Sequence, residues 1–225
     1  MSDIPVNPIP KPLRVQLTDR NCVSFQFENA NRYFPNDRAV DFYVRGAVCW
    51  PATVGNGNDK ATEGFILVAG QELRTKRVFI FEQRPFVCID SILNPETGLI
   101  QYEGITQRLT YWHARYRANT FYWHDHTDTH NRYLVQLIRS EMLNPKPWFV
   151  EVMWHEESQA VNALWELITK NMLFHWAGTA PEKGLSQPLY AALLNWRDTG
   201  VVLPATKAAM VLAMGYERFP WRREL

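Results

Sequence analysis

The sequence predicts an α+β fold: a largely antiparallel, twisted sheet in the N-terminal two-thirds, interrupted by one helix, with a helical C-terminal third packed on it. Three observations predict it. From Leu13 to Trp154 apolar residues recur at alternate positions in short runs divided by turn-forming residues, the signature of half-buried strands. Beyond Asp128, and again beyond His155, the apolar spacing lengthens to three and four residues, as on one face of a helix. The composition is that of a chain with a sizeable core: 225 residues, 46% hydrophobic and 21% charged, with 24 Lys and Arg against 23 Asp and Glu. That balance excludes a disordered chain and a strongly basic nucleic-acid coat.

Taken in order, residues 1–12 carry Pro5, Pro8, Pro10 and Pro12, whose fixed φ and missing N–H groups predict an extended, flexible arm. Residues 13–154 form the sheet-rich region. Leu13–Leu17 and Cys22–Phe27, parted by Thr18–Asn21, predict a hairpin. Val40–Trp50, Gly64–Val68 and Arg77–Glu82 predict further strands around the loop Gly55–Asp59. Phe86–Ile89 and Leu99–Tyr102 predict a second hairpin, joined by Asn94–Gly98, in which Pro95 suits the second turn position and Gly98 a left-handed one. Leu109–Arg117 reads as a strand with Leu109, Tyr111, His113, Arg115 and Arg117 on one face. A helix over about 129–143 places His130, Tyr133, Leu134, Leu137, Ile138 and Met142 on one side, ends at Asn144–Pro147, and gives way to a strand at Trp148–Trp154. Residues 155–225 form the helical region, with a stripe of Val161, Leu164, Trp165, Ile168 and Met172 and two shorter helices at about 187–197 and 205–214. No linker marks the boundary near 155, so the two parts can share one core.

Cys22, Cys49 and Cys88 are scattered without a CxxC pair and sit in apolar runs, as reduced, inert thiols of a cytoplasmic protein do. No apolar run approaches the ~20 residues of a membrane span, so no membrane partner is expected. The sequence has no GxxxxGK[ST], no GxGxxG after a strand and no GxSxG, the local signatures of nucleotide hydrolysis, dinucleotide binding and serine-hydrolase chemistry.

Two constellations can carry chemistry. His124-Asp125-His126-Thr127-Asp128-Thr129-His130 sets His124, His126, Asp128 and His130 at intervals of two, and imidazole with carboxylate suits zinc or manganese. The run resembles the HxHxDH loop of metallo-β-lactamase-fold hydrolases but places its last histidine one residue late, and the chain is not assigned to that family. The simpler reading makes Asp128 the N-cap of the following helix and His130 a residue of its apolar face. The second constellation interleaves Arg108, Arg115, Arg117, Arg132 and Arg139 with Tyr111, Trp112, Tyr116, Phe121, Tyr122, Trp123 and Tyr133. Guanidinium forks bind phosphates and aromatic faces stack on unpaired bases, so a sheet presenting Arg108, Tyr111, Arg115, Arg117, Arg132 and Arg139 is a platform for RNA or single-stranded DNA.

The sequence thus favours a non-catalytic nucleic-acid-binding subunit of a larger protein complex, of the ribonucleoprotein, mobile-element or phage kind, with no cofactor. Its alternatives are a metal-dependent hydrolase or nuclease holding one divalent metal in the histidine run, or a purely structural assembly subunit.

Overall fold

The computed structural model describes residues 12–17, 22–24, 38–49, 63–86, 92–102, 104–124, 148–176 and 188–218. In chain order its elements are β1 (Leu13–Leu17), β2 (Cys22–Ser24), β3 (Arg38–Cys49), β4 (Gly64–Glu72), β5 (Val78–Phe86), β6 (Ile92–Leu93), β7 (Ile100–Tyr102), α1 (Ile105–Tyr116), β8 (Thr120–Trp123), β9 (Trp148–Glu151), α2 (Glu157–Thr169), β10 (Leu173–Trp176), α3 (Pro188–Thr199) and α4 (Pro204–Arg218). The main sheet runs β2-β10-β5-β4-β3-β8-β9, with β1 added on β3, and β6-β7 forms a separate ribbon. The architecture is α+β on a mixed sheet. Strands β3, β4 and β5 are mutually antiparallel, while β8 and β9 follow β3 in parallel and β10 follows β5.

Strand β3 is long enough to take two partners end to end on one side. Its first half pairs with β1 (Leu13 opposite Phe42) and its second with β8 (Gly46 opposite Phe121). Alternation along β3 sorts its side chains into two cores. Val40, Phe42, Val44 and Val48 join Ile105, Leu109 and Trp112 under α1. Ala47 and Cys49 join Leu164, Leu189 and Met210 under α2, α3 and α4, so residues from both sides of position 155 meet in that second core. Gly46 is required where β3 meets β8, because a Cβ there would stand 2.2 Å from a carbon of the Phe121 ring.

A bulge in β5 shapes the α1 side. Val68 pairs with Glu82 but Ala69 pairs with Ile80, which leaves Phe81 as an extra residue. The extra residue turns Phe81 and Glu82 toward the same helix: Phe81 stacks on Tyr116, and Glu82 accepts hydrogen bonds from Trp112 and Tyr116.

Several expectations are corrected. Residues 109–117 do not form a strand: Ile105, Leu109, Trp112 and Tyr116 are buried on one side of α1, and the spacing of four, three and four is helical. β1 and β2 are not a hairpin, since β1 pairs with β3 and β2 with β10; alternation fixes which face a strand buries and leaves its partner open. Leu99–Tyr102 contributes β7, whose partner is the short β6 and not Phe86–Ile89. The turn between them is as expected: Gly98 N–H donates to Asn94 O at 2.8 Å, Asn94 Oδ1 accepts from Glu96 N, and Gly98 has φ 67°. A strand, β10, stands inside the region read as helical. Its four residues, Leu-Phe-His-Trp, are too few for periodicity to separate strand from helix. The helix expected over 129–143, residues 1–11 of the proline-rich arm and the chain beyond Arg218 lie outside the described residues. Among the described residues no single helix is long and apolar enough to cross a membrane.

Candidate functional site at the carboxyl edge of the sheet

Because β5, β3, β8, β9 and β10 run in one direction, they deliver their carboxyl ends to a single edge of the sheet. The pairing changes from antiparallel to parallel at β3, and in open sheets of this kind ligands sit in the crevice outside such carboxyl ends. The residues that reach this edge near the change are Cys49 of β3, His124 just after β8, and the segment Val152–Trp154 just after β9.

His124 is fixed in both position and tautomer. Its Nδ1 lies 2.6 Å from the Val152 carbonyl oxygen. A carbonyl can only accept, so Nδ1 carries the hydrogen of this bond. The ring also lies flat on Trp154, with centroids 3.4 Å apart and planes 12° from parallel. Val152 is itself held, its N–H donating to Trp123 O at 2.7 Å, which extends the β8–β9 ladder past the last paired residues. A histidine whose Nδ1 is committed to a backbone carbonyl presents Nε2 in the manner of a metal ligand.

The first turn of α3 stands beside the last residues of β5, where Leu189 N–H donates to Gln83 Oε1 at 2.8 Å. Lys207, in the first turn of α4, acts electrostatically on Cys49 at the end of β3. Lys207 is thus the cation beside the end of β3. Cys49 is no nucleophile: burial pushes its thiol up to about 11, and Lys207 offsets only part of this.

The remaining predicted site residues fall in two groups. Asp125, His126, Asp128, His130, Arg132 and Arg139 lie outside the described residues. Arg108, Tyr111, Arg115 and Arg117 all lie on or directly after α1, on the opposite side of the sheet from the helices α2 to α4. Arg108 Nη1 is 3.8 Å from Glu82 Oε2. Arg115 bonds the Tyr111 hydroxyl, and Arg117 is the left-handed C-cap of the helix. Among the described residues no group of three or more His, Cys, Asp and Glu side chains converges to hold a metal. His124 is thus the described member of the histidine run. Val152 and Trp154, which orient it, carry no sequence signal, since a backbone acceptor has none and Trp154 reads as the last residue of a strand. Glu82 could have been found only by knowing the bulge.

No family model matches the chain. No curated protein matches its sequence either. Among solved structures, a lysine-to-alanine mutant of the nuclease domain of the large terminase subunit gp2 of bacterial virus Sf6, solved with manganese and beta-thujaplicinol, is similar over 76% of this chain and 87% of that one, at 13% identity and a TM-score of 0.40. The likeness is too loose to carry any residue's role across.

Two functional expectations are corrected. The non-catalytic nucleic-acid-binding subunit rested on an exposed basic face of a strand at 109–117, and that strand is a helix covering one face of the sheet while α2, α3 and α4 cover the other. No open sheet platform exists among the described residues. The expectation of no cofactor is likewise not kept: the neighbour was solved with manganese, which is a property of that protein, and the alternative of one divalent metal is taken up as a proposal.

Proposed function

We propose that the protein is a divalent-metal-dependent hydrolase acting on the phosphodiester bonds of nucleic acid, with its metal held at the carboxyl edge by His124 and the run that His124 heads. The observation that carries the reading is the Nδ1–H bond from His124 to the Val152 carbonyl, the backbone bond that orients metal-ligating imidazoles, at the head of His124-Asp125-His126-Thr127-Asp128-Thr129-His130. His126, Asp128 and His130 supply the imidazole and carboxylate donors that zinc or manganese takes. A metal bound there lowers the pKa of its water and polarises a phosphoryl oxygen. The chain's own part is to fix the imidazole against Trp154, with Lys207 supplying positive charge beside Cys49 at the end of the neighbouring strand β3.

The test pairs metal analysis with cleavage. The purified protein is expected to hold close to one equivalent of zinc or manganese after dialysis and to cut circular single-stranded or duplex DNA with added Mn²⁺. His124→Ala should lose both metal and cutting while Trp154→Phe, which keeps an aromatic ring beneath the imidazole, retains most of each. Absence of bound metal together with absence of cleavage in the wild type overturns the reading.

A further inference from the structure

The outer side of α1 carries a basic ladder that the carboxyl-edge site does not use. Arg108, Tyr111 and Arg115 stand three and four residues apart, on a stripe separate from the buried Ile105, Leu109, Trp112 and Tyr116. The guanidinium carbons of Arg108 and of Arg115 each lie 5.6 Å from the centroid of the Tyr111 ring, one from the turn before and one from the turn after. Arg115 also bonds the Tyr111 hydroxyl and reaches over the Tyr116 ring at 5.4 Å. Tyr111 is 41% exposed and Arg115 and Arg117 are exposed, while Arg108 keeps 19% of its side-chain surface and faces Glu82 Oε2 at 3.8 Å, so the ladder opens to solvent from Tyr111 onward. From Gly104 to His124 the chain contains no carboxylate; Glu82 acts on Arg115 at longer range, and Arg117 donates to the Pro12 carbonyl at 3.4 Å.

We propose that this ladder, continued by Arg117, is where the nucleic-acid substrate's phosphate backbone is held, away from the bond that is cut. The inference rests on the nuclease reading for the word substrate and adds the surface that binds it. Stacking on Tyr111 spends the arginines' conformational freedom before any ligand arrives, so less is lost on binding. Seven residues of helix separate Arg108 from Arg115, roughly 10 Å at ~1.5 Å per residue. Over that span the exposed Arg115, with Arg117 beyond it, is the part of the ladder open to the phosphates of one strand. Planar forks suit phosphate oxygens, and they read no sequence. Because Tyr111 already lies between two guanidiniums, its part is to position Arg108 and Arg115 and not to stack on bases. A lipid surface fits poorly, since Tyr111 is the one large exposed apolar group of the stripe among the described residues.

The experiment uses the full chain in EDTA, with a labelled oligonucleotide of fixed length as single strand and as duplex, and fluorescence anisotropy over a salt series. Arg115→Ala/Arg117→Ala should weaken binding of every sequence alike and lower the log-affinity against log-salt slope by ~1.4 on the single strand and ~1.8 on the duplex. Near-UV circular dichroism should match the wild type, since both side chains are exposed. In cleavage the same variant should raise KM and leave kcat and bound metal unchanged. His124→Ala should bind with the wild-type slope. An unchanged slope in the folded double variant overturns the ladder whether or not the protein cuts DNA, as does equal affinity of the wild type for polyglutamate. A reduced slope in a protein that cuts nothing and holds no metal instead overturns the nuclease reading and leaves the ladder standing.

Discussion

Replacing Glu82 by alanine tests the claim that one bulge in β5 anchors α1 to the sheet. The carboxylate accepts from Trp112 Nε1 at 2.9 Å, from the Tyr116 hydroxyl, and faces Arg108 Nη1 at 3.8 Å. Trp112 is 0% exposed and Tyr116 5%, so neither donor can turn to bulk water when the acceptor is gone. A buried donor left unpaired costs about 1–3 kcal/mol, and each hydrogen bond to a charged acceptor contributes a similar amount. The Arg108 pair is partly solvated and adds at most about 1 kcal/mol. Because the carboxylate keeps 23% of its side-chain surface exposed, the lower half of these ranges applies, and the sum is on the order of 3 kcal/mol. For a chain of this length that corresponds to a fall in Tm of roughly 6–12 °C. Glu82→Gln retains an acceptor oxygen and should lose less than half as much. Urea titration at constant m value measures both. Trp112→Phe, which keeps the ring and removes the N–H, completes a double-mutant cycle whose coupling should reach about 1 kcal/mol or more. A Glu82→Ala variant within about 1 kcal/mol of the wild type, or a cycle with no coupling, refutes the anchoring argument.

Two further substitutions probe the other core. Gly215→Ala should destabilise by about 1–3 kcal/mol although alanine is the better helix former, because its methyl would stand 2.3 Å from a carbon of the Tyr122 ring, which Arg45 holds by its hydroxyl; in a Tyr122→Leu background the same change should turn neutral or favourable. His175 should make stability fall in acid. Burial pushes its imidazole down to about 4 from 6.5, so the folded state holds it neutral while the unfolded chain protonates it. Its contribution is therefore complete above pH ~6.5, declines as pH drops, and is gone below ~4, at most about 1.4 kcal/mol per pH unit. Urea midpoints at pH 7 and pH 5 should differ by less in His175→Asn than in the wild type, and an identical pH dependence would show that another group is responsible.

Strand content and its turns are legible in the sequence. β3, β4, β5 and β9 announce themselves by alternation or by apolar runs between polar loops, and the Asn94–Gly98 turn by residues that only a turn accommodates. Pairing is not legible, because the alternation of β1 fixes which face it buries and would do so against any neighbour. The two short helices near the C-terminus are visible as 187–197 and 205–214 and appear as α3 and α4. α4 is buried nearly all round from Ala205 to Tyr216, so burial does not single out the face that meets the sheet.

The α1 segment shows why the basic surface is only half legible. Residues 105–117 contain two patterns at once: Ile105, Leu109, Trp112 and Tyr116 at helical spacing, and Leu109, Tyr111, His113, Arg115 and Arg117 at strand spacing. The strand pattern gathers basic residues on one face, yet it puts the apolar Leu109 among them and leaves Trp112 and Tyr116 on the other side with Thr110 and Ala114. The helical pattern gathers the four large apolar groups that must leave water, and burying them is worth several kcal/mol where arraying arginines is worth little. Hydrophobic spacing should therefore outrank charge spacing when the two conflict. Applied to this stretch, that rule gives α1 directly and, as a consequence, the Arg108–Tyr111–Arg115 stripe on its outer side. No comparable rule reaches His124. Its tautomer depends on the carbonyl of Val152, twenty-eight residues away, and that carbonyl comes into range only because β9 adds to β8 in parallel.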